Sequence, residues 1–255
     1  MVVTVEPGWA MSLFLVALRL GTLLLLSPVF SGLGSLVTVR VLLTIGLSAV
    51  LVSGLGPNPG AALALAPGAL LLAAMGEVWI GATLAFGVFA AFGAFSVAGK
   101  ILDIQSGFAI GSVYDPVTRA GAPLFSTLLN LVGVAVFFGL DAHHALLRGL
   151  AFSLAQVAPG AALVQLSAEP VIRQFGLMFS LGVALIVPVM LFLLLVEVGL
   201  AIISRVLPQM NVFFVMIPVK IFAALALLAL TVGSLGPAMS TVYGSIFLFW
   251  EQVLT

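Results

Sequence analysis

The sequence contains no cysteine, which excludes disulfide bonds, thiolate nucleophiles and metal sites with cysteine sulfur ligands. Charge is also scarce: only 6% of the 255 residues are Asp, Glu, Lys or Arg, whereas a typical soluble domain has about 25%. Acidic and basic residues are equal in number and form no basic block, which argues against nucleic-acid binding. The N-terminus carries Glu6 and no basic region, so we predict no cleaved signal peptide.

Hydrophobic residues make up 63% of the chain, and its mean hydropathy is +1.38. A soluble fold of this size could not bury so much apolar surface, and we therefore predict an all-α integral membrane protein. About seven apolar blocks can be distinguished, and several are interrupted by Gly and Pro. Residues 41–55, for example, are shorter than the roughly 20 residues that a full crossing requires.

The segment Lys100–Pro123 interrupts a succession of uncharged runs of membrane length. It carries four charged residues, three glycines and two prolines, and Pro116 pushes Asp115 out of the helical region. A polar, broken segment cannot face lipid, because its backbone groups would remain unpaired. We expect it to lie at an interface, to line an aqueous cavity or to be buried in protein, and the alternative is an ordinary loop between two membrane helices.

The residues from Pro67 to Gly99 predict a long helix with many glycines. At 1.5 Å per residue it would measure about 50 Å, so it is either broken or extends beyond a hydrocarbon core of about 30 Å. Small residues let helix backbones approach closely, and we predict one tightly packed stripe along this helix. The glycines of this stripe are Gly76, Gly81, Gly87, Gly93 and Gly99.

Isolated charges within apolar sequence indicate polar or protein surroundings. Arg19 lies inside the first apolar run, where it either faces protein or water or extends to the nearer membrane interface. Glu77 lies within the long glycine-rich helix. Glu197 and Arg205 are eight residues apart, about two turns along one helical face.

Two prolines ten residues apart, Pro208 and Pro218, predict a second broken polar element near membrane depth. The amides of Gln209 and Asn211 could pair backbone groups that such a break exposes. The predicted helix-break and subunit-packing residues are Arg205, Pro208, Gln209, Asn211, Pro218 and Lys220.

Asp141, His143 and His144 are residue types that bind metals. Adjacent histidines are expected to point in different directions, however, and no further ligand follows nearby. The sequence therefore favours interfacial polar residues at a helix end, and we predict no metal site.

No residue pattern typical of catalysis is present in the sequence. There is no serine elbow, HExxH motif, phosphate-binding loop or dinucleotide-binding fingerprint, so we predict no enzyme activity and no cofactor. A secondary transporter would usually show two pseudo-symmetric halves, and this chain shows none. The small-residue surfaces and membrane-depth breaks instead favour a subunit of a larger assembly.

The chain resembles the FliR family of flagellar export-gate proteins and, more distantly, its counterparts in virulence type III secretion. The resemblance covers nearly the whole length, as a single domain over residues 1–255. It depends on KILDIQSG at 100–107, YDP at 114–116 and DAHH at 141–144, and most strongly on RVLPQMNVF at 205–213 with IPVKI at 217–221. The PQMN run and the following PVK look more flagellar than virulence-type.

The resemblance implies a multi-pass protein of the bacterial inner membrane, within the flagellar basal body. It also implies helical hairpins with broken helices, in a helical export-gate assembly that passes unfolded export substrates. The implied partners are FliP-like and FliQ-like subunits, with one FliR-like copy per complex, and other membrane proteins of the export apparatus. The alternatives are the same role in a virulence injectisome and a stand-alone secondary transporter.

In the family a loop plugs the closed pore, and by motif position that loop falls at Ser106 to Asp115 here. Its glycines would permit the reshaping that a gate needs, and its apolar residues could fill a narrow pore. The loop residues are Ser106, Gly107, Phe108, Ala109, Ile110, Gly111, Ser112, Val113, Tyr114 and Asp115.

Overall fold

The computed structural model describes residues 7–31, 37–54, 67–108, 123–161, 167–206 and 212–255, and every regular element in these ranges is helical. The first four helices are α1 (Pro7–Leu26), α2 (Pro28–Ser31), α3 (Val37–Gly54) and α4 (Pro67–Gln105). They are followed by α5 (Leu124–Gly139), α6 (Ala142–Gln156), α7 (Ala168–Val206), α8 (Val212–Thr231) and α9 (Gly236–Leu254). A short 3₁₀ turn, Val232–Ser234, follows α8.

Five helices in the described ranges are long and apolar enough to cross a membrane: Gly8–Leu26, Val37–Gly54, Pro67–Gln105, Ala168–Val206 and Val215–Ser234. A sixth span results if α5 and α6 are counted together as one broken span. The prediction of an all-α membrane protein is therefore confirmed. The spans differ in burial. Within the 18-residue apolar stretch of each helix, 61% is buried in α4 and only 11% in α3. Helix α4 is thus mainly protein-packed, while α3 presents most of its surface to the surroundings of the chain.

Two predicted boundaries are wrong because helices continue further than local sequence indicates. Helix α3 begins at Val37, before Arg40, and its 18 residues meet the length of a span. Helix α4 is unbroken over 39 residues, about 58 Å, and it includes the first residues of the polar segment that starts at Lys100.

The predicted break at Pro218 is also wrong. Pro218 lies inside α8, and Pro188 likewise lies inside α7. A proline removes one backbone hydrogen bond, but membrane helices tolerate this loss where neighbouring groups or local adjustments satisfy the freed carbonyl. Pro208, Gln209 and Asn211 lie outside the described residues, so their role at a break stays a prediction.

The chain forms two compact units. The first consists of Met1–Ala90, Asp141–Gln174 and Ser245–Thr255. Trp250 of α9 is fully buried here, and its indole N–H donates to the carbonyl oxygen of Leu84 at 3.0 Å. Phe249 packs edge-on against Phe86, with ring centroids 6.0 Å apart. These aromatic contacts fix α9 against α4.

The second unit consists of Ala91–Leu140 and Phe175–Gly244. Its core contains a cluster of buried aromatic rings whose centroids lie 5.4–6.3 Å apart. The rings belong to Phe92, Phe95, Phe137 and Tyr243. The Tyr243 hydroxyl donates to the carbonyl oxygen of Gly133, so the cluster joins α4, α5 and α9 with its polar group satisfied. The prediction that residues 1–255 are one domain stays a prediction.

Candidate functional site where the end of α4 meets α5

The end of α4 is a defined helix terminus that begins the predicted plug loop. Ser106 N–H donates to Leu102 O at 2.9 Å, and Gly107 N–H donates to Ile104 O at 3.1 Å. Gly107 has φ 82°, a left-handed conformation that glycine adopts without a side-chain penalty and that commonly ends helices. Ala109–Asp115 of the predicted loop lie outside the described residues. Ser106 is completely buried, and Phe108 N–H donates to its hydroxyl at 3.4 Å.

Asp103 connects this helix terminus to the start of α5. One carboxylate oxygen accepts a hydrogen bond from Phe125 N–H at 2.8 Å, and the other accepts from Ser126 N–H at 3.1 Å. The first residues of a helix leave their N–H groups without partners, and Pro123, the N-cap of α5, makes no side-chain cap. Asp103, which is only 3% exposed, caps α5 from another helix. Its charge also complements the positive end of the α5 dipole.

Further contacts connect α4 to α5 and α7. Gln105 donates from its side-chain amide to Met190 O of α7 at 3.1 Å. Earlier in α4, Ser96 Oγ donates to Asn130 Oδ1 of α5 at 3.0 Å. The α4 backbone at Gly99 approaches α5 so closely that a Cβ there would overlap the backbone of Ser126. The end of α4 is therefore held to the start of α5 by Asp103 and to α7 by Gln105.

The predicted glycine residues of α4 face different helices. In the first unit, a Cβ on Gly81 would lie 2.5 Å from Arg19 O of α1, and one on Gly87 would lie 2.6 Å from the Phe249 ring of α9. In the second unit, Gly93 faces Met178 of α7 and Gly99 faces α5. Gly76 is buried. The expectation of a single stripe is wrong, because a six-residue step turns a helix by about 240° and each glycine points to another neighbour.

Gly99→Ala is expected to destabilise the second unit by about 1–3 kcal/mol, because the added Cβ forces α4 and α5 apart. Gly176→Ala is the matched control, since a Cβ at this position of α7 meets nothing within 4 Å and alanine favours the helix. The thermal unfolding of both variants in detergent measures the difference. If Gly99→Ala unfolds at the same temperature as Gly176→Ala, the close approach has no energetic role.

A second polar cluster lies buried in the first unit. Arg19 and Glu77 are each 1% exposed, and they form a two-bond ion pair: Arg19 Nε donates to Glu77 Oε2 at 2.6 Å, and Nη2 donates to Oε1 at 3.2 Å. Arg19 therefore faces protein, and the alternative in which it extends to a membrane interface is wrong. Gly81, one turn after Glu77, permits the close approach of α4 to α1 at this point.

The remaining donors of Arg19 are directed at the end of α6. Nη1 donates to both the carbonyl and the hydroxyl oxygen of Ser153, at 3.0 and 3.1 Å, and Nη2 donates to Val157 O at 3.0 Å. All five guanidinium N–H groups are thereby used, and two carbonyls at a helix C-terminus are capped by a cation. Glu77 also accepts from Gly160 N–H at 2.9 Å. One buried ion pair thus joins α1, α4 and the turn after α6.

The remaining charged residues that the sequence singled out lie on α7 and α8. Lys220 is 8% exposed and forms an ion pair with Glu197, with Nζ 3.1 Å from Oε2, so α7 and α8 are connected within the second unit. Arg205 lies exposed in the last turn of α7. Glu197, a charge within apolar sequence, therefore has a cation from another helix as its partner.

The expectation that the adjacent histidines point apart is wrong as well. The ring centroids of His143 and His144 are only 4.1 Å apart, and Asp141 lies next to both imidazoles. Asp141 has a left-handed backbone conformation with φ 53°, and it is the N-cap of α6, which follows α5 closely in the chain. Sequence spacing alone could not give this ring orientation, because it depends on the side-chain rotamers of the two histidines.

Comparison with known proteins identifies the family. The profile described as "Bacterial export proteins, family 1" matches residues 10–246. The flagellar biosynthetic protein FliR of Bacillus subtilis is 31% identical over 162 residues, which cover 62% of each chain. FliR of Escherichia coli is 24% identical, covering 71% of this chain and 70% of that protein.

A virulence-associated protein is similar too. The surface presentation of antigens protein SpaR of Shigella flexneri is 30% identical over 149 residues, or 58% of each chain. The match to the Bacillus subtilis protein, like this one, spans less than two thirds of the relative's length. The family profile, in contrast, extends over nearly all of the present chain, and the protein therefore belongs to family 1 of the bacterial export proteins.

Proposed function

We propose that the chain is a channel-forming subunit of the flagellar type III protein export gate and passes unfolded flagellar proteins across the inner membrane. The observation that carries this proposal is the family match over residues 10–246, with relatives whose names include flagellar biosynthetic protein FliR. The subunit has no catalytic role of its own in this proposal. Its place is the flagellar basal body, as a multi-pass protein of the inner membrane.

The proposed gate is the loop Ser106–Asp115. A gate loop needs a fixed base and a part that can change shape. The base is provided by Gly107, which ends α4, and by Asp103, which holds the start of α5. The glycines Gly107 and Gly111 would permit reshaping, and apolar residues such as Phe108 and Ile110 would exclude water and ions from a narrow pore.

The proposed partners are FliP-like and FliQ-like subunits and other membrane proteins of the export apparatus, with one copy of this chain per complex. Large exposed apolar side chains on α3, α7 and α8 support a subunit that contacts lipid or other subunits along these helices. No nucleic acid takes part.

A second candidate is the equivalent subunit of a virulence injectisome, and the similarity to SpaR favours it. The motif at residues 205–213 with 217–221 and the FliR relatives favour the flagellar role. A stand-alone secondary transporter has no comparable support.

Deletion of the gene in the source bacterium separates these candidates. The flagellar role predicts that cells lose export of flagellar filament protein and motility, and that a plasmid copy restores both. Loss of effector secretion with unchanged motility would instead support the injectisome. A protein that copurifies with no neighbouring gene product and transports a small solute in liposomes would contradict both.

A further inference from the structure

We propose that Asp141, His143 and His144 form a binding site for a divalent transition-metal ion of the Zn²⁺ class. One ligand atom of each residue lies within 4.8 Å of the other two. The three residues belong to the first unit, and none of them is part of the proposed gate loop Ser106–Asp115. It also reverses the expectation, drawn from the sequence, that no metal binds here.

The distances between the three ligand atoms are close to those in a tetrahedral metal site. His144 Nδ1 lies 3.4 Å from Asp141 Oδ1, and His143 Nε2 lies 3.9 Å from the same oxygen. With metal–ligand distances of about 2.0–2.1 Å, tetrahedral geometry separates neighbouring ligand atoms by about 3.3–3.4 Å. The pair of His144 and Asp141 already fits, and closing the triangle requires a shift of no more than about 1.5 Å. Small side-chain rotations supply such a shift.

The donor set selects the class of ion. Imidazole nitrogens suit Zn²⁺, Cu²⁺ and Ni²⁺, whereas Ca²⁺ and Mg²⁺ prefer oxygen ligands alone. Three protein ligands leave a fourth position for water, as in exchangeable zinc sites. The positive end of the α6 dipole opposes a cation here, and the negative charge of Asp141 offsets it. Asp141 makes no side-chain cap of α6, so its carboxylate accepts no cap hydrogen bond from the backbone of that helix.

The site is open to solvent. The side chains of Asp141 and His144 are 76% and 60% exposed, and that of His143 is 34% exposed. An ion can therefore enter without unfolding the helix. Exposure also means that substitution of these residues leaves the core of the first unit intact.

Calorimetric titration of the full-length chain in detergent with ZnCl₂ tests the proposal, using a purification tag without histidine. We expect one Zn²⁺ per chain, and binding at least tenfold weaker in His143→Ala/His144→Ala and in the single variant His144→Ala. Asp141→Asn should weaken binding similarly, and asparagine tolerates the left-handed backbone at this position. Glu169→Gln, which removes an exposed carboxylate at the start of α7, should bind like the wild type.

Electron paramagnetic resonance with Cu²⁺ identifies the ligands independently. The chain has two histidines and no cysteine, so coupling of Cu²⁺ to imidazole nitrogen can arise only from His143 and His144. We expect this coupling in the wild type and its loss in the double variant. Absence of one-to-one Zn²⁺ binding in the wild type, equal affinity in the double variant, or a wild-type Cu²⁺ spectrum without imidazole coupling would each overturn the proposal.

Discussion

Glu77→Ala is expected to destabilise the first unit by about 3–5 kcal/mol, because it leaves the Arg19 guanidinium charged, buried and without its anion. Arg19 is 1% exposed and lies within a candidate membrane span, where an unpaired charge is costly. Gly160 N–H also loses its acceptor. The measurement is the thermal unfolding of purified variants in detergent, together with protease sensitivity of the 157–161 turn.

Two further variants separate loss of the charge pair from simple loss of packing. Arg19→Met/Glu77→Met removes both charges, and we expect it to be more stable than Glu77→Ala because no lone ion remains buried. Ser153→Ala removes one hydroxyl acceptor while the Ser153 carbonyl still accepts from Arg19, so one N–H of Arg19 loses its acceptor and the change should cost about 1–3 kcal/mol, less than Glu77→Ala. A Glu77→Ala variant as stable as Ser153→Ala would show that the ion pair contributes nothing.

Asp103→Ala is expected to release the first turn of α5 from the end of α4. Two hydrogen bonds from backbone N–H groups to a buried carboxylate are lost, at about 1.5–3 kcal/mol each in a charged bond, and Phe125 and Ser126 regain no local cap. Amide hydrogen exchange measures this loss directly, and the exchange rate at the backbone N–H groups of Phe125 and Ser126 should increase. In the proposed export gate the same change is expected to raise ion leakage, since the proposed plug loop would lose its fixed base.

Thr127→Ala is the matched control in the same helical turn. It removes the bond from Thr127 Oγ1 to Pro123 O at an exposed position, where substitutions usually change stability by no more than about 0.5 kcal/mol. Asp103→Asn should give an intermediate result, because its amide retains one oxygen acceptor. Equal exchange rates at 125 and 126 in Asp103→Ala and Thr127→Ala would contradict the cap.

Local sequence predicted the class of fold and the start of α4 at Pro67, because these depend on apolar length and on nearby Pro and Gly. The continuity of α8 through Pro218 could not be read in this way, since surrounding structure compensates for the lost hydrogen bond. The different directions of the α4 glycines could have been predicted, because their six-residue spacing already excludes one face.

The partners of the buried polar residues depend on long-range geometry. Asp103 binds backbone groups 22 and 23 residues away, and Arg19 binds groups 58 to 138 residues away. The sequence marked Arg19 and Glu77 as charges within apolar sequence, which is a signal that a partner exists, whereas Asp103 was one charge of a polar segment. It could not identify that partner, because no periodic pattern connects residues on different helices.

Ion conductance in planar bilayers tests the proposed gate most directly. The export complex would be purified from the source bacterium with either the wild-type chain or a chain that lacks Phe108–Gly111. Because these residues are proposed to fill the closed pore, we expect the deletion complex to assemble with its partners and to conduct ions where the wild type is closed. An intact deletion complex that stays as closed as the wild type would contradict the account, as would a deletion that prevents assembly.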